Sequence, residues 1–134
     1  MYTPQEDTVA ISQNMVTAGV ALIVIIAGYL ILSNAPGKYD DFARCISASG
    51  AKMYGAYWCP HCMDQKEMFG DSWHLINYVE CSLPANGGQT EACIAAGVRS
   101  YPTWQFGDGT RKTGALSFEE LGEKTGCAAP AVPG

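Results

Sequence analysis

The sequence predicts an α/β domain with a mixed sheet and helices on both faces, preceded by a single transmembrane helix. Two patterns support this prediction. Residues 15–32 are almost continuously apolar, and no side chain that is charged at neutral pH lies between Asp7 and Lys38. The residues after Lys38 alternate short β-prone segments with segments of helical spacing. Parallel strands joined by helices and followed by an antiparallel hairpin give such a mixed sheet.

The composition limits the possible functions. The 134 residues leave room for one small domain besides the apolar helix. The net charge of −5 and the lack of a basic run argue against binding to nucleic acid. Six cysteines, an even number, favour disulfide bonds and an oxidising compartment, and they leave the pairing open.

The apolar run is predicted to be an uncleaved membrane anchor. Its eighteen residues make a helix roughly 27 Å long, enough for the hydrocarbon core of a bilayer. A buried core helix is one alternative, but so small a domain cannot surround a helix that is apolar on every side. A cleaved signal peptide is another, but the start lacks positive charge and Pro36 directly follows the small residues 33–35. The predicted segments are a tail at 1–14, the anchor at 15–33, a linker at 34–37, the domain at 38–127 and a C-terminal tail at 128–134.

Two signals disagree about the side of the membrane on which the domain lies. Lys38 and Arg44 follow the anchor and no basic residue precedes it, which weakly favours a cytoplasmic domain. The cysteine content favours an oxidising compartment instead. We give the cysteines more weight and expect a single-pass protein with its domain on the extracytoplasmic side, periplasmic or lumenal.

Local signals define the elements of the domain in order. Thr90 is a predicted N-cap, Asp108-Gly109 a hairpin turn, and Ser117 with Glu120 a capping box. The predicted elements are helix 38–49, strand 51–57, helix 60–69, strand 75–81, loop 83–89, helix 91–96, strands 103–106 and 110–113, and a last helix that ends near residue 126.

Cys59-Pro60-His61-Cys62 lies where a strand turns into a helix. A thiolate at a helix N-terminus faces free N–H groups and the positive end of the helix dipole, which favours its ionised form. Pro60 suits the first helical turn, and a protonated His61 adds positive charge, so we expect both to tune the acidity of this thiol. The pattern predicts an exposed nucleophile, Cys59, and a buried resolving thiol, Cys62, that carry out thiol–disulfide exchange.

A Cys-x-x-Cys motif is also half of a structural zinc site, and it can form an inert disulfide. A second pair at short spacing is missing, because Cys81 and Cys93 lie far apart in the sequence. A zinc site also normally lies on loops rather than between a strand and a helix. The sequence therefore favours redox chemistry, with no metal and no cofactor.

Two features together resemble a thioredoxin-like domain over residues 38–126. One is the strand–Cys59-Pro60-His61-Cys62–helix, and the other is the stretch 98–103, which precedes the hairpin. The resemblance implies that Pro102 is cis and that its loop lies against the active-site disulfide. Met53 stands where thioredoxins proper carry a buried carboxylate that relays protons for the second thiol. Another base is therefore expected, either water or Glu67.

More narrowly, residues 50–62 and Tyr101-Pro102-Thr103-Trp104 are similar to the thioredoxin-like domain fused to bacterial vitamin K epoxide reductase homologues. This resemblance implies that the domain takes electrons from secreted proteins and passes them to a membrane reductase and quinone. One apolar helix stands here in place of the four-helix reductase, so we expect the quinone-linked partner to be a separate chain.

Aromatic residues flank both motifs. Trp58, Tyr101 and Pro102 are predicted to shape a substrate groove, with Tyr57 beside them, and core packing is an equal alternative for Trp58 and Tyr101. Trp104 is a predicted core residue, and His74 is a predicted surface residue.

The remaining cysteines are predicted to be structural. Cys81 ends one strand and Cys93 lies on the following helix, so a local disulfide is expected. Cys45 and Cys127 are then paired by elimination.

We therefore expect a membrane-anchored thiol–disulfide oxidoreductase. It would oxidise protein thiols through a Cys59–Cys62 disulfide and pass electrons to a partner in the lipid bilayer. Two alternatives stay open: a membrane-tethered protein-disulfide reductase, and an interaction subunit that has kept the fold and lost the activity. The intact cysteine pair favours an enzyme.

Overall fold

The computed structural model of the chain describes residues 13–33 and 35–131. Backbone contacts divide the chain into two units, Met1–Ala35 and Pro36–Gly134. Residues 1–12 of the predicted N-terminal tail, residue 34 of the linker and residues 132–134 of the C-terminal tail lie outside the described residues.

The described part of the first unit consists mainly of one helix, α1 (Gln13–Ser33). Its segment Met15–Ser33 is long and apolar enough to cross a membrane, and none of that segment is buried within the chain. The Thr17 hydroxyl donates to the Gln13 carbonyl, and the Ser33 hydroxyl donates to the carbonyl of Tyr29. These hydroxyls are therefore satisfied inside the helix, as a lipid environment requires.

The second unit is an α/β domain with a mixed sheet, as predicted. In the described residues the sheet has four strands in the order β2-β1-β3-β4, where β1 is parallel to β2 and the other two pairs are antiparallel. The elements are α2 (Asp40–Ala48), β1 (Lys52–Gly55), α3 (Pro60–Phe69), β2 (Tyr78–Glu80), α4 (Glu91–Ala95), β3 (Thr103–Gln105), β4 (Arg111–Thr113) and α5 (Phe118–Thr125), with 3₁₀ turns at Gly70–Leu75 and Pro84–Asn86.

The strands around α3 are shorter than the sequence predicts. The predicted strand 75–81 is reduced to β2, because residues 70–75 form a 3₁₀ turn instead. In this turn the Trp73 ring packs between Phe69 and Tyr78, with ring centroids 5.9 and 5.7 Å away. The predicted strand 51–57 likewise ends at Gly55, because the next residues turn the chain into α3.

The two predicted helix caps differ in outcome. The capping box is confirmed: the Ser117 hydroxyl accepts from the Glu120 N–H, and the Glu120 carboxylate accepts from the Ser117 N–H. Thr90 does occupy the N-cap position of α4, but its side chain does not cap the helix. Its hydroxyl donates to the Glu80 carbonyl instead, at 3.1 Å, which ties the start of α4 to β2.

A buried glutamine fixes α3 against the sheet. Gln65 is fully buried, and its side-chain oxygen accepts from the Trp104 indole at 3.1 Å and from the Leu116 N–H at 2.7 Å. Its side-chain nitrogen donates to the Leu116 carbonyl at 3.1 Å. Trp104 is fully buried, as predicted for a core residue. α3 is thus held to β3 and to the loop before α5 by hydrogen bonds as well as by apolar packing.

Candidate active site

The Cys59-Pro60-His61-Cys62 motif begins α3. Cys59 is the N-cap residue and Pro60 occupies the first helical turn, where its missing N–H costs no hydrogen bond. The Cys59 carbonyl accepts from the N–H groups of Cys62 and Met63, both at 3.1 Å. Cys62 therefore lies one turn inside the helix, on the same side as Gln65 and the core.

Both cysteines of the motif are free and buried. Cys62 has no solvent exposure and Cys59 has 5 %, so the expectation of an exposed Cys59 is wrong. The loop around Pro102 covers it: the Tyr101–Pro102 peptide is cis, and the Cys59 thiol donates to the Tyr101 carbonyl at 3.7 Å. As a thiol, Cys59 also makes no side-chain cap bond to the helix, contrary to the expected contact with the N–H groups.

The environment of Cys62 keeps it protonated. Burial, and a hydrogen bond to Cys59, raise the pKa of the Cys62 thiol to about 12. The nearby Lys66 ammonium acts in the opposite direction, but its effect is smaller. At neutral pH the inner sulfur therefore holds its proton, and the small exposed surface of the pair belongs to Cys59.

A pocket of about 430 Å³ lies beside Trp58 and Tyr101. Trp58 is 50 % exposed, and its ring stands edge-on to that of Tyr101, with centroids 6.0 Å apart. The Trp58 indole donates to the Ser82 hydroxyl, and the Gln89 amide donates to the Tyr101 hydroxyl, each at 2.8 Å. Hydrogen bonds therefore hold both rings in place along the pocket, whereas Pro102 is buried behind them.

A tyrosine and a glutamate on β2 complete the surroundings of Cys62. The register pairs Gly55 of β1 with Glu80 of β2. Tyr78 and Glu80 are two residues apart on β2, so their side chains share one face of the sheet, the face on which α3 and Cys62 lie. The Tyr78 hydroxyl donates to the Glu80 carboxylate at 2.8 Å. Sequence reasoning missed this pair. The only signal was the glycine at the end of β1, which leaves space next to the motif.

Comparison with known proteins agrees with this geometry. No protein-family model matches the chain. Thiol-disulfide oxidoreductase LTO1 of Arabidopsis thaliana is 42 % identical over 88 residues, which cover 63 % of this chain and 23 % of the relative. The match supports a thioredoxin-like domain. This chain therefore spans about a quarter of the length of the curated relative that it matches.

His61, Asp64 and Glu67 lie on the exposed side of α3, whereas Lys66 is half-buried. His61 is exposed and its ring nitrogen lies 3.4 Å from the Asp64 carboxylate. Glu67 is also exposed, whereas Cys62 and Gln65 point inward, so the helix carries Glu67 on a different face from Cys62. Glu67 is therefore badly placed as a base for the inner thiol. His74 is exposed too, and its ring contacts the Asp71 carbonyl.

The other four cysteines form two disulfides in the α/β domain. Cys81 is joined to Cys93, with Cα atoms 5.5 Å apart, and this bond connects the end of β2 to α4. Cys45 is joined to Cys127, with Cα atoms 5.9 Å apart, and this bond connects α2 to the segment after α5. Both disulfides agree with the pairs predicted from the sequence.

Proposed function

We propose that the chain is a membrane-anchored thiol–disulfide oxidoreductase in which Cys59 exchanges with substrates and Cys62 resolves the intermediate. The observation that carries this proposal is the free Cys59–Cys62 pair at the start of α3, where solvent reaches Cys59 alone. The similarity to a protein named a thiol-disulfide oxidoreductase supports the same reading. An interaction subunit without activity has no need of a free pair in this arrangement.

The difference in exposure between Cys59 and Cys62 determines which sulfur a substrate attacks first. In the oxidised domain a substrate thiolate attacks the Cys59 sulfur, and the Cys59–Cys62 bond breaks with Cys62 as the leaving group. A second substrate thiolate then attacks the substrate sulfur of this mixed disulfide and displaces Cys59. The substrate leaves with a new disulfide, and its two electrons remain on the reduced cysteine pair.

We propose that the domain works mainly as an oxidant. Any interaction that stabilises the Cys59 thiolate stabilises the reduced form and makes the disulfide more oxidising, and the N-terminal end of α3 acts in this direction. Met53, fully buried behind the motif, brings no negative charge that would oppose it. The proposed route for re-oxidation is a quinone-linked membrane protein of the vitamin K epoxide reductase type.

The proposed location is the extracytoplasmic side of a membrane, with α1 as the anchor. Two disulfides within so small a domain support an oxidising compartment, because such bonds are rare in the cytosol. A membrane-impermeant thiol reagent, applied to intact cells after a membrane-impermeant reductant has opened the Cys59–Cys62 disulfide, would label Cys59 in an extracytoplasmic domain. Labelling only after lysis would contradict this location.

The reduction potential of the Cys59–Cys62 couple tests the direction of electron flow. Potentials of known enzymes of this kind run from about −270 mV for thioredoxin to about −120 mV for the strongest oxidant. We expect a value in the middle or upper part of this span when the full chain, in detergent, is equilibrated with glutathione buffers. A potential at or below that of thioredoxin would make the protein a reductase.

A further inference from the structure

Exchange at the buried pair requires a proton to move at Cys62. Its thiol must lose a proton to attack a mixed disulfide at Cys59, and it must regain one when it leaves in the reverse step. Cys62 has no contact with solvent, and the fully buried residue at position 53 is a methionine, which carries no ionisable group. The proton must therefore pass through a neighbouring side chain.

Tyr78 is the neighbour that the structure brings to Cys62. A Cβ atom at Gly55 would lie 3.0 Å from the Cys62 sulfur and 3.2 Å from the Tyr78 hydroxyl oxygen, so both atoms face the same small space. Only a glycine at the end of β1 leaves that space open. The Tyr78 ring is held on its other sides by the Lys66 ammonium, 4.0 Å from the ring centroid, and by the edge of Trp73.

Glu80 connects Tyr78 to the surface. One carboxylate oxygen accepts the Tyr78 hydroxyl at 2.8 Å. The other accepts from the N–H groups of Tyr57 and Ser82, at 3.2 and 2.9 Å, which fixes the orientation of the carboxylate. Glu80 is half-buried, so a proton that reaches it can pass to water.

We propose that Tyr78 and Glu80 form a proton relay for Cys62, an inference that rests on the proposed function. As the Cys62 sulfur attacks the Cys59 sulfur of a mixed disulfide, its proton passes to the Tyr78 oxygen while the Tyr78 proton passes to Glu80. The new Cys59–Cys62 bond forms and the substrate sulfur leaves as a thiolate. Glu80 then releases the proton to water. The reverse step returns a proton to Cys62 by the same path.

The electrostatics of the site agree with this role. Burial and the hydrogen bond to Glu80 raise the pKa of Tyr78, so it stays a neutral hydroxyl that can accept one proton while it gives up another. The charged and titratable groups around it are Glu80 on its own strand, and Cys59, Cys62 and Lys66 on α3. Lys66 supplies positive charge beside the forming Cys62 thiolate.

The test uses the full chain in detergent micelles, reduced and mixed with excess 5,5′-dithiobis(2-nitrobenzoate). Attack by Cys59 releases one thionitrobenzoate, and the later attack by Cys62 on the mixed disulfide releases a second. We expect Tyr78→Phe and Glu80→Gln to slow the second release by roughly tenfold or more at neutral pH and to leave the first unchanged. The difference should shrink as pH rises, because a growing share of the chains then holds Cys62 as a thiolate, which needs no proton acceptor when it attacks.

Two variants serve as matched controls. Tyr54→Phe removes a hydroxyl from the opposite face of the same sheet, and Glu67→Gln removes the exposed carboxylate of α3; both should react like the wild type. Wild-type rates of the second release in both relay variants at every pH would overturn the relay and leave the proposed function standing. Equal slowing of both releases would overturn it as well. Failure of the wild-type chain to give a second release would instead contradict the proposed function.

Discussion

The α/β domain contains two cysteine pairs, one at the start of α3 and one between the end of β2 and α4, and they differ in state. Cys59 and Cys62 are free, whereas Cys81 and Cys93 are bonded to each other. All four are buried, and only Cys59 keeps a measurable exposure, 5 %. Burial alone therefore does not distinguish the pair proposed to react from the pair proposed to be structural.

The local structure around each pair does distinguish them. Cys59 stands at the N-cap of the ten-residue helix α3, under a loop that touches it through one carbonyl. Cys93 lies inside the five-residue helix α4, and Cys81 is packed with Tyr54 and Val98 in a separate apolar cluster. Cys59 combines a position at a helix terminus with a small solvent exposure, whereas Cys81 and Cys93 have no solvent exposure and are bonded to each other.

The largest expected effect comes from disrupting each of the two pairs in turn by mutation. Cys59→Ser should abolish catalysed oxidation of a reduced substrate protein and leave the thermal stability close to that of the reduced wild type. The double variant Cys81→Ala, Cys93→Ala should keep the activity but lose about 3 kcal/mol of unfolding free energy in the chain-entropy model. Activity assays and denaturant unfolding of the full chain measure both. Loss of activity in a folded double variant would contradict the division into reactive and structural pairs.

The second prediction is that Cys62, unlike the disulfide-bonded Cys81 and Cys93, makes the unfolding free energy depend on pH. The pKa of Cys62 rises from its ordinary value of 9.0 to about 12 in the folded, reduced chain. Above pH 9.0 the unfolded chain loses this proton and the folded chain keeps it, so Cys62 makes folding less favourable there by up to ~1.4 kcal/mol per pH unit. Below pH 9.0 the effect is absent.

The oxidised chain is the control for this pH effect, because a disulfide does not titrate. Unfolding free energies of the two forms, measured in parallel from pH 9.0 upward, should diverge with the reduced form falling faster. Cys62→Ser should remove the divergence. Parallel curves for reduced and oxidised wild type would show that Cys62 ionises as readily in the folded domain as in the unfolded chain.

The same comparison shows how far the sequence could predict the site. The bounds of α3 and the capping box of α5 depend on neighbouring residues, so local patterns were sufficient. The cover over Cys59 comes from Tyr101, which is distant in the sequence. The approach of Tyr78 to Cys62 depends on how α3 packs against β1 and β2, and the Gln65 contacts depend on where Trp104 and Leu116 pack. No local pattern encodes these contacts.

The smallest expected effect concerns the pocket that Trp58 and Cys81 both line. Trp58 is half exposed above the pocket and is positioned by Ser82 and Tyr101, so it offers an apolar surface to a protein substrate without touching the sulfur chemistry. Trp58→Ala should raise the KM for a reduced protein substrate by roughly tenfold, a typical cost of removing one aromatic anchor, with little change in kcat. Trp58→Phe should restore most of the binding.

Tyr57→Ala is the matched control, since Tyr57 is an exposed aromatic that is not among the residues lining the pocket. Reaction with glutathione disulfide, which is too small to need the pocket, should be the same in all three variants. A loss of rate with glutathione disulfide equal to the loss with protein would mean that Trp58 supports the geometry of Cys59 instead of binding substrate.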